Sequence, residues 1–304
     1  MTRRQLIDFL MTSTIAGSLR AQTKSAPFDR VAALMSQYDL AILRMDLKAF
    51  TLTRSVAGKF ASSDFSGLLS VSPDAKAVAW IPKSSLLFGA EGEPNPVVRL
   101  RDELGNVRSV GYEGSFALSI GLSATGLIYL VVGQGRARPR LIAVTGQPNP
   151  RYDLTDMVSG LDLSQIENLR SSSSGNRVAV GWRESFVIID AASRQIIFQG
   201  KGRFPRLSPN GESLAFVTTD RRLAVVTIGD RKQRVLQAGW EAYGMGAWDP
   251  EGKWLLVGAT TVLGSSRKLM VVDTLNGDFV ELWSLGDDGG DRSLWIGKHL
   301  LQPV

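Results

Sequence analysis

The strongest constraint on this chain is a turn that returns five times. Ser72-Pro73-Asp74-Ala75-Lys76 leads into Ala77-Val78-Ala79-Trp80, and Ser123-Ala124-Thr125-Gly126 leads into residues 127–131. Ser172-Ser173-Ser174-Gly175-Asn176 precedes Val178-Ala179-Val180, Ser208-Pro209-Asn210-Gly211 precedes Leu214-Ala215-Phe216, and Asp249-Pro250-Glu251-Gly252-Lys253 precedes residues 254–257. Proline at the second turn position presets φ, and glycine at the fourth suits type I geometry. Between Pro205 and Gly229 the whole unit is visible as PRLSPNGESLAFVTTDRRLAVVTIG: strand, turn, strand, tight link, strand. Leu214 and Phe216 share one side of the second strand, and 223–228 is rich in β-branched residues. Apolar runs of period two, bounded by Pro, Asn and Gly, are the signature of hairpins.

The turns begin 51, 49, 36 and 41 residues apart. A second hairpin follows each one, over residues 97–110, 140–154, 186–198, 223–236 and 269–282. A four-stranded unit repeated at roughly 40–50 residues is a propeller blade. The ends supply one more. Residues 293–304 read as an inner hairpin turning at Gly297-Lys298, and 41–53 match the outer-hairpin pattern. Joined, they make a sixth blade, and closing the ring removes the exposed sheet edges that invite aggregation. The expected fold is therefore an all-β, six-bladed β-propeller over residues 38–304, closed by amino- and carboxyl-terminal strands. Residues 22–37 are expected to be a linker or short helix.

Composition narrows the chemistry. The 304 residues are 44% hydrophobic and 21% charged, which suits a folded domain with a sizeable core. There is no cysteine, which excludes disulfides, thiolate metal sites and cysteine nucleophiles. The single histidine, His299, makes a Ser-His-Asp triad or a multi-histidine metal site untenable. No nucleophile elbow, phosphate-binding loop or dinucleotide fingerprint occurs. The formal charge is +6, of which Arg3, Arg4 and Arg20 against Asp8 supply +2, leaving +4 dispersed over the rest. That is too little and too scattered for a nucleic-acid surface, and no nucleic-acid partner is expected.

Thr2-Arg3-Arg4-Gln5-Leu6-Ile7 resembles the twin-arginine export motif. An apolar stretch over 9–19 and the small residues Ala16, Gly17, Ser18 and Ala21 complete the parts of a signal peptide over residues 1–21. The apolar stretch is shorter than the roughly 20 residues that a spanning helix needs, so no transmembrane span is expected after its removal. Asp8 stands where that motif favours a basic residue. The repeats SPDAKAVAW, SPNGESLAF and DPEGKWLLV are similar to those of TolB-type and WD-like propellers, over residues 38–304. The resemblance implies a periplasmic or secreted binding platform, and it brings no catalytic residues with it.

The candidate sites follow from where a propeller binds. Its loops between blades, and between second and third strands, here offer Arg136, Arg138, Lys201, Arg203, Arg221, Trp240 and Tyr243. Arginine and aromatic side chains dominate binding hot spots. The expected partner is a protein or an anionic envelope component, bound by a monomeric, non-enzymatic module. Asp287, Asp288 and Asp291 form the densest acidic cluster, the one candidate for calcium, which wants six or more oxygen ligands. No other cofactor is expected. Two alternatives stand beside this reading. One is a metal-dependent propeller hydrolase or lactonase using Asp64, Glu93, Glu113 and Asp287, should these converge on the central channel. The other is a sugar- or cell-wall-binding sensor.

Overall fold

In a computed structural model the described residues are 32–35, 42–46, 51–54, 65–74, 76–82, 96–102, 104–134, 137–145, 152–236, 240–249, 251–261, 267–285 and 302–303. Three short strands open the chain: β1 (Ala32–Met35), β2 (Ile42–Asp46) and β3 (Thr51–Arg54). Next come β4 (Phe65–Val71), β5 (Val78–Pro82), β6 (Val97–Arg101) and β7 (Val107–Gly111), paired in that order. β8 (Phe116–Leu122), β9 (Ile128–Gln134), β10 (Ala137–Val144) and β11 (Tyr152–Asp153) form the following sheet. β12 (Ile166–Ser171), β13 (Arg177–Trp182), β14 (Ser185–Asp190) and β15 (Gln195–Lys201) form another. β16 (Arg203–Leu207), β17 (Ser213–Val217), β18 (Leu223–Thr227) and β19 (Gln233–Leu236) repeat the pattern. So do β20 (Trp240–Trp248), β21 (Trp254–Thr261), β22 (Arg267–Asp273) and β23 (Phe279–Leu285). The last strand, β24 (Gln302–Pro303), pairs antiparallel with β1, giving a sheet ordered β24-β1-β2-β3. Among the described residues there are thus six four-stranded sheets, and every strand pairing is antiparallel.

The recurring turn works through one buried side chain. Ser208 is 2% exposed, and its Oγ accepts from the Ser213 amide at 2.9 Å, while Gly211 donates its amide to the Ser208 carbonyl at 2.8 Å. Gly211 has a φ of +77°, which glycine adopts without a Cβ penalty. Ser72, Ser123 and Ser172 accept in the same way from Ala77, Leu127 and Arg177. Asp249 replaces serine in the last copy and accepts from Lys253 and Trp254 at 2.7 and 2.6 Å. The turns are also stitched to one another. Ala124 donates to the Ser173 carbonyl, Ser173 donates to the Pro209 carbonyl, and Arg177 Nη1 donates to the Gly211 carbonyl at 2.7 Å.

The core is a series of apolar layers between successive sheets. In β17, Leu214 and Phe216 pack with Phe186, Ile188 and Ala179 on one side. Ala215 and Val217 pack with Trp248, Leu255 and Val257 on the other. The alternation in the sequence is therefore an alternation between two buried layers, which is why four of this strand's five residues are buried. The first strands of consecutive sheets lie against one another, β4 on β8, β8 on β12, β12 on β16, β16 on β20 and β20 on β24. They form the inner surface of the array.

Three features depart from the sequence expectation. Residues 32–35, expected to be linker or short helix, are a strand that pairs with β2 in the register Ala32↔Met45 to Met35↔Ile42. The sheet uniting the chain ends takes three amino-terminal strands and one carboxyl-terminal strand, where two and two were expected. A short Ala-Ala-Leu-Met run carries no turn punctuation, so only its pairing partner identifies it. Third, two 3-10 turns, η1 (Thr155–Val158) and η2 (Leu163–Gln165), lie between β11 and β12. They bury Val158 and Leu163 and account for the long interval between the second and third turns.

Candidate functional site

Six of the seven residues expected from sequence to contact a partner lie among the described residues, Arg136 being the exception. Arg138 is exposed on β10, and its Nη2 donates to the carbonyls of Ser159 and Leu161, the latter at 3.0 Å. It ties η1 and η2 to the edge of the sheet. Lys201 ends β15 and is exposed. Arg203 Nη2 lies 2.7 Å from Glu184 Oε1, and Arg221 Nη1 lies 3.0 Å from Glu241 Oε2. Both pairs join a turn between second and third strands to the segment entering the next inner strand. Backbone bonds fasten the same places: Gly202 donates to the Glu184 carbonyl and Ala242 to the Arg221 carbonyl, both at 2.8 Å. Arg222 pairs with Asp220 within its own turn. Arg221 sits at a φ of +61°, a left-handed conformation uncommon outside glycine. Half-exposed pairs of this kind add little stability. They hold the loops in place and set carboxylates beside the arginines on the described part of this face.

Trp240 opens β20 and is half-buried, its ring edge-on to Phe279 with centroids 6.3 Å apart. Its Nε1 is buried without a hydrogen-bond partner among the described residues. Tyr243 lies in the same strand. Arg136, Asp64, Glu93, Asp287, Asp288, Asp291 and His299 lie outside the described residues, as do residues 1–31 with the expected signal peptide. Glu113 is described: it stands 3.7 Å from Arg140, which also binds Asp153 at 2.7 Å. Partial burial raises the Asp153 pKa, but hydrogen bonds from Thr155 and Arg140 outweigh it and hold the carboxyl below its ordinary range. Among the described residues no group of three or more acidic or histidine side chains is placed to hold a metal.

The most distinctive polar cluster lies on the inner surface. Arg206, on β16, is 8% exposed. Its Nε donates to the Gly246 carbonyl of β20 at 2.9 Å, and its Nη1 donates to Asn168 Oδ1 of β12 at 3.1 Å and to the Pro205 carbonyl at 3.2 Å. Trp248 Nε1 donates to the Arg206 carbonyl at 3.0 Å and fixes its backbone. Arg170, on β12, reaches past β8 to Ser70 of β4, with Nη1 3.4 Å from Ser70 Oγ. Ser70 Oγ also accepts from the Leu122 amide of β8 at 3.1 Å. These bonds, some to side chains and some to backbone, together reach the inner strands of five sheets.

Local backbone geometry makes this possible. Each of β4, β8, β12, β16 and β20 carries a register shift against its neighbour, at Phe65/Leu69, Ala117/Ser119, Ile166/Asn168, Arg203/Arg206 and Ala242/Gly244. Bulges re-aim the side chains beside them. Gly121 leaves β8 bare at the same level, and a Cβ there would fall 2.8 Å from the Leu169 carbonyl oxygen. Burial pushes the Arg170 guanidinium down to about 10. Burial, and then repulsion from Arg170, hold Arg206 well below its ordinary value. Guanidinium is so basic that both remain cations at neutral pH. The cluster thus holds two guanidiniums on the inner surface, each with hydrogen-bond partners on neighbouring inner strands.

Sequence reading by loop composition passed over this pair, although a signal exists. Counting two residues back from each turn serine or aspartate gives Ser70, Gly121, Arg170, Arg206 and Ala247. Three are small and two are arginine, and the two arginines lie on the inner strands β12 and β16.

No family model matches this chain, and no curated protein matches it. Solved structures do. A putative TolB from Agrobacterium tumefaciens superposes with a TM-score of 0.55 at 11% identity, covering 85% of this chain and 91% of that one. TolB from Acinetobacter baumannii gives 0.52 at 14% identity, over 84% of this chain and 67% of that one. The β-propeller domain of Cps50 (Swd1) from Myceliophthora thermophila gives 0.50 at 15% identity, over 86% and 83%. At such identities the likeness shows the fold, and the fold is a β-propeller.

Proposed function

We propose that this chain is an exported, non-enzymatic six-bladed propeller that serves as an interaction module. The ring closes where β24 pairs with β1, and the loop face takes a protein or an anionic envelope component. The observation that carries this reading is the repeated fastening of second-to-third-strand turns to the following crossovers, through Glu184–Arg203 and Arg221–Glu241 and their backbone bonds. Such loops are held in one geometry before a partner arrives, which lowers the ordering cost of binding. Exposed Arg138, Lys201 and Arg203, with half-buried Trp240, provide the anchors. The likeness to TolB structures and to a WD-type propeller supports a binding role, and the twin-arginine-like segment supports export. Fold likeness alone is a weak warrant for function, so the site must be tested directly.

The test uses the full chain with a carboxyl-terminal tag, expressed in a host with twin-arginine export. The tagged chain is expected outside the cytoplasm, and Arg3→Lys with Arg4→Lys is expected to retain it inside. After crosslinking in the envelope fraction, one partner is expected at near-stoichiometric recovery. The combined Arg203→Ser, Arg221→Ser and Trp240→Ala variant is expected to lose it, while Lys76→Ser on the turn face keeps it. Equal recovery by the triple variant would reject the loop face as the binding surface.

A further inference from the structure

We propose that Asn210 is a latent deamidation site, kept closed in the folded chain by the Ser208 hydroxyl. Two Asn-Gly pairs occur in the sequence, Asn210-Gly211 and Asn276-Gly277. Both asparagines are exposed. Such a pair is reactive because glycine has no Cβ to shield its nitrogen. The Gly211 nitrogen attacks Asn210 Cγ and gives its proton to solvent. The new C–N bond forms as the Cγ–Nδ2 bond breaks, and ammonia leaves. Water then opens the succinimide ring at either carbonyl, giving aspartate or β-linked isoaspartate. One water is consumed and one ammonia released.

The turn restrains both reacting groups. Gly211 is buried, and its amide donates to the Ser208 carbonyl at 2.8 Å, so the nucleophile is engaged. The Asn210 carboxamide is held at both ends. Its Oδ1 accepts from Ser208 Oγ at 2.7 Å and from the Glu212 amide at 3.0 Å, while its Nδ2 donates to Glu212 Oε2 at 3.1 Å. Ser208 is buried and is itself fixed by the Ser213 amide. Ring closure needs the Gly211 amide released and the carboxamide turned, and each bond opposes that. Asn276 is the natural comparison. Gly277 is half-buried and donates to the Asp273 carbonyl at 2.8 Å, but the Asn276 carboxamide bonds only to exposed Asp278, through its amide at 2.9 Å and its Oδ2 at 3.0 Å. The position at 210 matters to its neighbours. The Gly211 carbonyl accepts from Arg177 and the Pro209 carbonyl from Ser173, so isoaspartate, which lengthens the main chain by one carbon, would loosen the joint between two sheets.

The test follows deamidation of the purified full chain at mildly alkaline pH by tryptic peptide mass spectrometry, with enzymatic methyl transfer to score isoaspartate. Trypsin cuts after Arg206, Arg221 and Lys268, so the two sites fall on separate peptides. Asn210 in the folded chain is expected to react at least about tenfold more slowly than in concentrated urea, and more slowly than Asn276 in the same sample. Ser208→Ala is expected to raise the Asn210 rate relative to the Asn276 rate by about tenfold, the size of one lost hydrogen bond. Gly121→Ala, destabilising but remote from the turn, is expected to leave that ratio unchanged, which separates the guard from a general loss of stability. Should Ser208→Ala not fold, Glu212→Ala reads the same ratio from an exposed position by freeing the Nδ2 end, and a rise is expected. An Asn210 rate in the folded chain equal to that in urea, or a ratio that the folded variant leaves unchanged or lowers, would overturn the proposal.

Discussion

Replacing Tyr112 with phenylalanine should make this protein more stable. Tyr112 is 2% exposed, in the apolar layer with Ile81, Val98, Val110 and Val132, and its hydroxyl finds no hydrogen-bond partner among the described residues. A buried hydroxyl without a partner costs about 1–3 kcal/mol of lost solvation. Deleting one oxygen leaves the ring packing intact, so a net gain of about 1 kcal/mol is expected, or roughly 2 °C in melting temperature for a chain of this size. Burial also pushes the phenol up to about 12. The unfolded phenol titrates near 10, so between about pH 10 and 12 the unfolded state sheds a proton that the folded state keeps, and stability falls as pH rises. Near pH 11 the natural chain has lost about 1.4 kcal/mol from this group, whereas Tyr112→Phe loses none. Urea denaturation at pH 8 and pH 11 measures both effects. Destabilisation at pH 8 by more than about 1 kcal/mol, or a gap between the two proteins that does not widen at pH 11, would refute the reasoning.

Other expectations are as direct. Ser208→Ala strips the acceptor from the Ser213 amide inside a buried turn, and urea denaturation should show a loss of about 1–2 kcal/mol. Gly121→Ala forces a Cβ against the Leu169 carbonyl, and a loss of about 1–3 kcal/mol is expected from the same measurement. Asp153 has a lowered folded pKa, so its contribution is present above the ordinary carboxylate range and fades as pH falls through the folded value. Asp153→Asn should therefore flatten the acid limb of melting temperature against pH.

The fold was legible because its local signals agree at several levels. Turns of the Ser-Pro-Asn-Gly kind, β-branched runs and blade-length spacing all specify paired antiparallel strands, and five of the six sheets fall where the repeats put them. The sheet that joins the chain ends was harder to read. Its strands are two to five residues long, and β1 and β24 are identified by pairing across 270 residues rather than by any pattern of their own. That Arg203 and Arg221 sit in or beside loops was legible, but not their electrostatics. Glu184 and Glu241 neutralise Arg203 and Arg221 across 19 and 20 residues, and nothing in local composition marks those partnerships. Arg206 was hidden for a different reason. An arginine between Pro205 and Leu207 reads as a solvent-facing strand residue, and only the bulge behind Phe204, with its φ of +55°, brings it to the inner surface.

The proposed loop face presupposes a propeller closed where β24 joins β1, β2 and β3 in one sheet. The chain has no cysteine, so a pair introduced at Ala33 and Gln302, which face each other in the β1–β24 ladder, reports on that closure alone. Under mild oxidation the folded Ala33→Cys, Gln302→Cys protein should form an intramolecular disulfide, seen as a faster-migrating species on a non-reducing gel and as a linked 33–302 peptide by mass spectrometry. A folded protein in which both thiols remain free under the same oxidation would contradict a ring closed by the two ends of the chain.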